Sequence, residues 1–217
     1  MSPSAVLLHA AVFTAEASDG VGRALFVRSI ASGPAAAIVG PVRREGATRA
    51  ALRHARIVAD ALEGCSSVVP FRAGMELPSE QDVLALFTEN RDELLRCLRA
   101  VSGRVEMGLK VRIPSSPGVD AVRLDVALER IRSLASMPIK PLELRRPAAD
   151  GHVLEACYLL PRDRIEPFWV QVDALRIETG LRVLGTGPWA PYSFCDLALR
   201  PASPAAPGVL LSDRSPS

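Results

Sequence analysis

Along residues 103–111, GRVEMGLKV, charged and apolar side chains alternate almost without exception. Read as a strand, the stretch sends Val105, Met107, Leu109 and Val111 to one side, and Arg104, Glu106, Gly108 and Lys110 to the other. The first side reads as core. The second carries a glycine gap between an acid and a base, and a glycine inside a strand often marks close approach of another chain segment. Elsewhere in the first half, residues 5–13 predict a strand, and the runs 24–30 and 35–39 flank Ser32-Gly33-Pro34 as a hairpin. From 46 to 62 the period turns helical, with Ala51, Ala55, Val58, Ala59 and Leu62 on one face and His54 at its border. A short strand in 65–74 then runs into a glycine-containing loop. Ser79 caps a helix expected to reach Val101, with Val83, Leu84, Phe87, Leu94, Leu95, Leu98 and Val101 inward. The same period puts Arg91 on that apolar face, where its guanidinium is expected to snorkel to the edge.

From residue 103 the order of elements is itself informative. The strand 103–112 precedes a turn at 114–118, a helix from about 120 to 135, an extended run 141–145 and a turn at Asp150-Gly151. The strand 153–160, a helix from 162 to about 178 with Ile165, Phe168, Val172 and Leu175 inward, and the strand 181–187 follow. This β-α-β-β-α-β order, with right-handed crossovers, predicts a four-stranded antiparallel sheet with two helices on one face, the ferredoxin-like arrangement. The fold class expected is therefore α+β in two small domains. Residues 1–102 form an N-terminal domain, a modified ferredoxin-like sheet with helices. Residues 103–200 form a C-terminal ferredoxin-like domain, and the Pro/Ser/Ala-rich stretch 201–217 is expected to be a disordered tail. One face of the second sheet stays free of helices, so Glu106, Gly108 and Lys110 are expected to face outward, either into water or against a partner.

Composition narrows the function classes. The chain has 217 residues, 48% of them hydrophobic and 23% charged, enough for one large core or two small ones. Its formal net charge of +2 is too small to suggest a nucleic-acid partner, although every basic residue except Lys110 and Lys140 is arginine. No run approaches the ~20 apolar residues that span a bilayer, and the N-terminal apolar stretch lacks a basic leader. Cys65, Cys97, Cys157 and Cys195 are scattered, without a CxxC pair or a histidine spacing that would assemble zinc, so they read as reduced thiols of a cytoplasmic protein. His9, His54 and His152 lie far apart, and no glycine-rich phosphate loop, GxSxG or HExxH occurs. No catalytic, cofactor or metal residues are assigned, and the balance moves toward a binding or assembly protein. The alternative is a small-molecule-binding or enzymatic α+β protein with a pocket between ferredoxin-like domains, which a closed cavity lined by His54 or Glu76 would favour.

The segments HARIV (54–58), VVPFRAG (68–74), RDELL (91–95), GRVEMGLKV (103–111), YLLPRD (158–163) and TGPWAPYSF (186–194), in that order, resemble the gas vesicle protein F/L family over roughly residues 5–195. The resemblance implies two domains, the second ferredoxin-like, and no known enzymatic activity. It also implies a minor component or accessory factor in making gas vesicles, in contact with the small hydrophobic shell protein and with other accessory proteins. The implied location is the cytoplasm and the gas vesicle. Two departures are visible: Ala73 stands where the family usually has an aromatic, and the region between the strands at 103 and 153 is compact where the family usually carries a long charged helix. In TGPWAPYSF, Pro188 and Pro191 cannot donate to a ladder. The strand is therefore expected to end after Gly187 and leave Trp189, Tyr192 and Phe194 on a stiff segment. Those aromatics either fold back on their own domain or anchor a partner. Glu106, Gly108, Lys110, Trp189 and Tyr192 are the expected partner-binding residues. Replacing Glu106 and Lys110 together by alanine is expected to weaken capture of the shell protein with little change in melting temperature.

Overall fold

A computed structural model describes residues 5–17, 27–114, 128–131, 134, 143–148, 151–195 and 197–200. In the first half, β1 (Val6–Phe13), β2 (Arg28–Ser32), β3 (Ala35–Pro41), β4 (Val68–Pro70) and β5 (Glu76–Leu77) form a five-stranded antiparallel sheet. Its path runs β2-β3-β1-β4, and β5 also pairs with β1. The hairpin read around Ser32-Gly33-Pro34 is present, with Gly33 at positive φ in the turn. Strands β1 and β3 read as near-continuous apolar runs because helices cover both of their faces. Helix α1 (Ala47–Gly64) lies on one face, and α2 (Glu80–Glu89) and α3 (Arg91–Val101) lie on the other.

Expectations for both helical stretches of this half are corrected. Helix α1 buries His54, Ile57, Val58, Ala61 and Leu62, while Ala51, Ala55 and Ala59 are exposed. The inward stripe is thus rotated onto the bulkier aliphatics, and His54 sits within it rather than at its border. The helix expected from 79 to 101 breaks at Asn90, whose backbone leaves the helical region. The inward stripe runs Val83, Leu86, Phe87, Asn90, Leu94, Leu98 and Val101, one position round from Leu84 and Arg91, which are exposed, so no guanidinium has to snorkel. Ser79 caps α2 as read, its hydroxyl oxygen accepting the Asp82 amide at 3.2 Å.

The second half forms a four-stranded antiparallel sheet from β6 (Arg104–Pro114), β7 (Glu143–Ala148), β8 (Gly151–Pro161) and β9 (Arg182–Trp189), ordered β7-β8-β6-β9. That is the strand order the β-α-β-β-α-β reading requires, with the two strands flanking each crossover separated by a third. Most of the first crossover and the tail 201–217 lie outside the described residues. The second crossover is a 3₁₀ turn (Arg162–Arg164) leading into α4 (Ile165–Thr179), which Gly180 ends in the left-handed conformation. Val105, Met107, Leu109 and Val111 are all buried against Phe168, Val172 and Leu175 of α4, as the alternation requires. Trp169 packs over Gly185, where an added Cβ would fall 2.2 Å from the ring.

Beyond the core that α1 shares with the second sheet, further contacts tie the halves together. Arg162 donates to the carbonyls of Leu62 and Cys65 at 2.5 and 2.7 Å, satisfying acceptors that the C-terminal end of α1 leaves open. After β9 the chain returns to the first half, where Cys195, Leu197 and Leu199 pack against the core under α2 and α3. Asn90 holds the end of this strap: its side-chain NH₂ donates to the Arg200 carbonyl at 3.0 Å and its oxygen accepts the Arg200 amide at 2.8 Å.

Candidate functional site

The helix-free face of the second sheet is built from alternate residues of β8, β6 and β9. Cross-strand register places Leu159, Glu106 and Trp189 in one row, Cys157, Gly108 and Thr186 in the next, and Glu155, Lys110 and Leu184 in the third. The structure therefore brings four of the five expected binding residues onto one face. Tyr192 follows on the segment that leaves β9.

The gap at Gly108 is filled from within. A Cβ there would lie 2.5 Å from the Thr186 hydroxyl oxygen, so the close approach that the glycine signals is made by the neighbouring strand. Glu106 is also not free. It lies on the outward face yet is only 7% exposed, because the returning chain covers it. Its two carboxylate oxygens accept the backbone N–H and the hydroxyl of Ser193, each at 2.7 Å. Glu106 thus lies on the outward face as expected, but what it meets there is neither water nor a partner: strand alternation fixes the side of the sheet, and a segment of the same chain distant in sequence supplies the cover. Lys110 does reach solvent and pairs with Glu155, its cross-strand neighbour, at 2.9 Å.

Strand β9 departs from expectation at Pro188. It continues to Trp189 instead of ending at Gly187, and the ladder with β6 absorbs one extra residue between Thr186 and Trp189. The Gly187-Pro188 peptide is cis, and Gly187 has φ +117° with the Glu106 carbonyl 2.8 Å from where a Cβ would be. Pro188 is tolerated because the bulge lies on an edge strand. The extra residue also inverts the alternation beyond it. Without it Trp189 would point toward the helices; with it the indole lies on the outer face and is 52% exposed.

Leu184, Trp189 and Tyr192 are thus large apolar side chains left about half exposed along this edge. Burial and the nearby Glu106 charge push the Tyr192 phenol up to about 12, so it stays a hydrogen-bond donor throughout the neutral range. Cys157 is half-buried below Ser193, whose hydroxyl lies 3.6 Å from the sulfur, and burial raises its thiol pKa, which works against a nucleophilic role. Among the described residues no three His, Cys, Asp or Glu side chains converge as metal ligands. No described helix is long and apolar enough to cross a membrane.

Sequence reasoning missed a second polar feature. A bulge in β1 between Leu8 and Ala10 places His9 on the α1 side of the sheet, where its Nδ1 lies 2.9 Å from the Nδ1 of His54. Both rings are buried and both Nε2 atoms lack a hydrogen-bond partner. Burial, then the neighbouring His54 and Arg53, lowers the His9 pKa to about 4, and burial lowers that of His54 as well. His54 is therefore a packed helix-to-sheet contact.

Comparison with known proteins gives one consistent family. The profile "Gas vesicle synthesis protein GvpL/GvpF" matches residues 7–137 and 125–196. Gas vesicle protein F of Haloferax mediterranei is 33% identical over 139 residues, covering 62% of this chain and 63% of its own length. Gas vesicle protein L of a Streptomyces strain is 28% identical over 189 residues, covering 69% and 70%. The crystal structure of the gas vesicle protein GvpF from Anabaena superposes with a TM-score of 0.72 at 16% identity, over 90% of this chain and 97% of that one. That from Microcystis aeruginosa gives 0.71 at 17% identity, over 89% and 99%. At these identities the two crystal structures establish the fold, which extends across both sheets.

Proposed function

Since the chain belongs to the GvpL/GvpF family of gas vesicle synthesis proteins, we propose that it binds the hydrophobic shell protein during gas vesicle formation, through the outer edge of its second sheet. The site comprises Lys110, the flat stretch at Gly108, Trp189 and Tyr192, with Glu106 holding the frame from beneath. Other accessory proteins of the gas vesicle are further partners, and the work is done in the cytoplasm where the vesicle grows.

The observation that carries this reading is the exposure of Leu184, Trp189 and Tyr192 along an edge held on one side by the β9–β6 ladder and on the other by the hydrogen bonds of Ser193 to Glu106. Half-exposed aromatics on a stiff backbone lose little conformational entropy on binding and are the side chains that dominate interface energetics. A mostly apolar shell subunit exposes surface that aggregates unless it is covered before incorporation. An edge that offers indole and phenol rings beside one Lys–Glu pair can cover such surface and release it again. Pro188 and the bulge in β9 discourage uncontrolled strand addition at the same edge.

The test is co-expression of this protein with the major shell protein of the same organism, followed by affinity capture. Wild type is expected to retain the shell protein, and Trp189→Ser combined with Lys110→Ala to lose most of it while keeping the wild-type melting temperature. Absence of capture by wild type contradicts the partner. Undiminished capture by the variant contradicts the placement.

A further inference from the structure

Two of the sequence stretches singled out above, VVPFRAG and TGPWAPYSF, come from different halves of the chain and meet at a single groove. The loop after β4 supplies Phe71, Arg72 and Met75, and the returning strap supplies Tyr192, Leu197 and Leu199, enclosing a volume of about 520 Å³. We propose that this groove is a binding site for an apolar peptide segment that carries one carboxylate. The inference rests on the reading that the partners are gas vesicle proteins, and it assigns them a second contact, centred on Arg72 and sharing only Tyr192 with the sheet edge.

The chemistry of the lining selects the occupant. Met75, Leu197 and Leu199 are only partly buried against the core under α2 and α3, leaving apolar surface toward the groove. Among the described lining residues Arg72 is the single charged one; it is exposed and makes no ion pair or side-chain hydrogen bond to another described residue. A guanidinium beside an apolar wall is matched by a carboxylate, which accepts two parallel N–H donors at once. The Tyr192 phenol adds a neutral donor on the opposite wall. The volume lies within the range of about 300–1,000 Å³ of small ligand sites, room for a few side chains and not for a folded domain.

Both walls are fixed before anything binds. The loop is pinned to β1, with the Phe71 amide donating to the His9 carbonyl at 2.9 Å and the Leu8 amide to the Met75 carbonyl at 2.8 Å. The strap is pinned by Ser193 on Glu106 and by Arg200 on Asn90. A groove held open in this way costs little to organise on binding.

The experiment measures fluorescence anisotropy of labelled peptides that tile the shell protein and the accessory proteins of the same organism. Each acidic peptide is paired with its amide version and with a lysine version. At least one acidic, apolar peptide is expected to bind, about tenfold more tightly than its amide version. Arg72→Gln should remove that difference, and Arg72→Glu should transfer preference to the lysine version. Arg72 is exposed, so neither substitution threatens folding. Absence of binding by every peptide, or equal binding of the three versions, or indifference to Arg72, overturns the groove. Arg72-dependent peptide binding without capture of intact shell protein leaves the groove standing and refutes the shell protein as partner. Capture of intact shell protein without peptide binding does the reverse.

Discussion

Glu106 in β6 and Ser193 beyond β9 are joined twice: the Ser193 N–H and its hydroxyl donate to the two oxygens of one buried carboxylate, each at 2.7 Å. Hydrogen bonds to an ionised acceptor are worth about 1.5–3 kcal/mol, and a buried donor left unpaired costs about 1–3 kcal/mol. Glu106→Ala is therefore expected to destabilise the protein by about 2–4 kcal/mol in urea denaturation, and Glu106→Gln by less, because the amide oxygen still accepts the Ser193 N–H. This argues against the expectation that Glu106 and Lys110 could be replaced together with little change in melting temperature. A Glu106→Ala variant as stable as wild type would mean the contact is not formed in solution.

Gly108 and Thr186 form a matched pair across β6 and β9. Gly108→Ala puts a methyl group 2.5 Å from the Thr186 hydroxyl oxygen, on a β-branched side chain with few rotamers to escape into. The expected cost is about 1–3 kcal/mol, the usual range for overpacking. Thr186→Ala removes the obstructing oxygen, and the remaining Thr186 Cβ is 3.9 Å away, an ordinary contact. The double variant should recover most of the loss, giving a coupling energy that a double-mutant cycle reads directly. Additive losses would show that the clash lies elsewhere.

The two histidines set an acid limit. His9 is held neutral with a pKa of about 4, against an ordinary value of 6.5 in the unfolded chain. Between those values the unfolded state binds the extra proton and the native state does not, so stability falls as pH drops from about 6.5 and levels off below about 4. The loss from His9 is about 3 kcal/mol at that limit, and His54, shifted in the same direction, adds to it. Denaturation midpoints taken from pH 8 to pH 4 should be flat above pH 7 and fall below it. His9→Leu combined with His54→Leu should flatten that part of the profile; an unchanged slope would assign it to carboxylates elsewhere.

What could be read from the sequence followed the range of each signal. Alternation in 103–111 placed Val105, Met107, Leu109 and Val111 inward correctly, because strand periodicity is local. It could not show that Ser193 covers Glu106, a contact between residues 87 apart in sequence. The break at Asn90 went unread because the apolar period continues across it. The local signs were present, however: a poor helix former followed by Asp92 and Glu93, the acids of a new first turn. His9 sat in a run otherwise apolar on both strand faces, which already implied burial. Its pairing with His54 depends on the β1 bulge, and a bulge in a uniformly apolar strand leaves no periodic trace. The Gly187-Pro188 step was read as a stop. On an edge strand, proline can instead sit within a bulge, and the consequence was to turn Trp189 outward.

Asn90 governs whether the strap stays closed. Its side chain donates to the Leu86 carbonyl at 2.7 Å, and its bonds with Arg200 fix the far end of the segment that carries Tyr192, Leu197 and Leu199. Asn90→Ala removes all three bonds from a position that is 5% exposed and is expected to cost about 2–3 kcal/mol. The larger effect should be local. With Ser193 still latched to Glu106, residues 195–200 lose their terminal anchor while the sheets remain intact. Limited proteolysis should then cut within 195–200 several-fold faster than in wild type, at denaturant concentrations far below global unfolding. Removing Glu106 instead should loosen the strap from the other end, around 190–194, so the two variants are expected to give different first cleavage sites. Identical cleavage patterns would mean that the strap opens as one unit and that neither anchor acts alone.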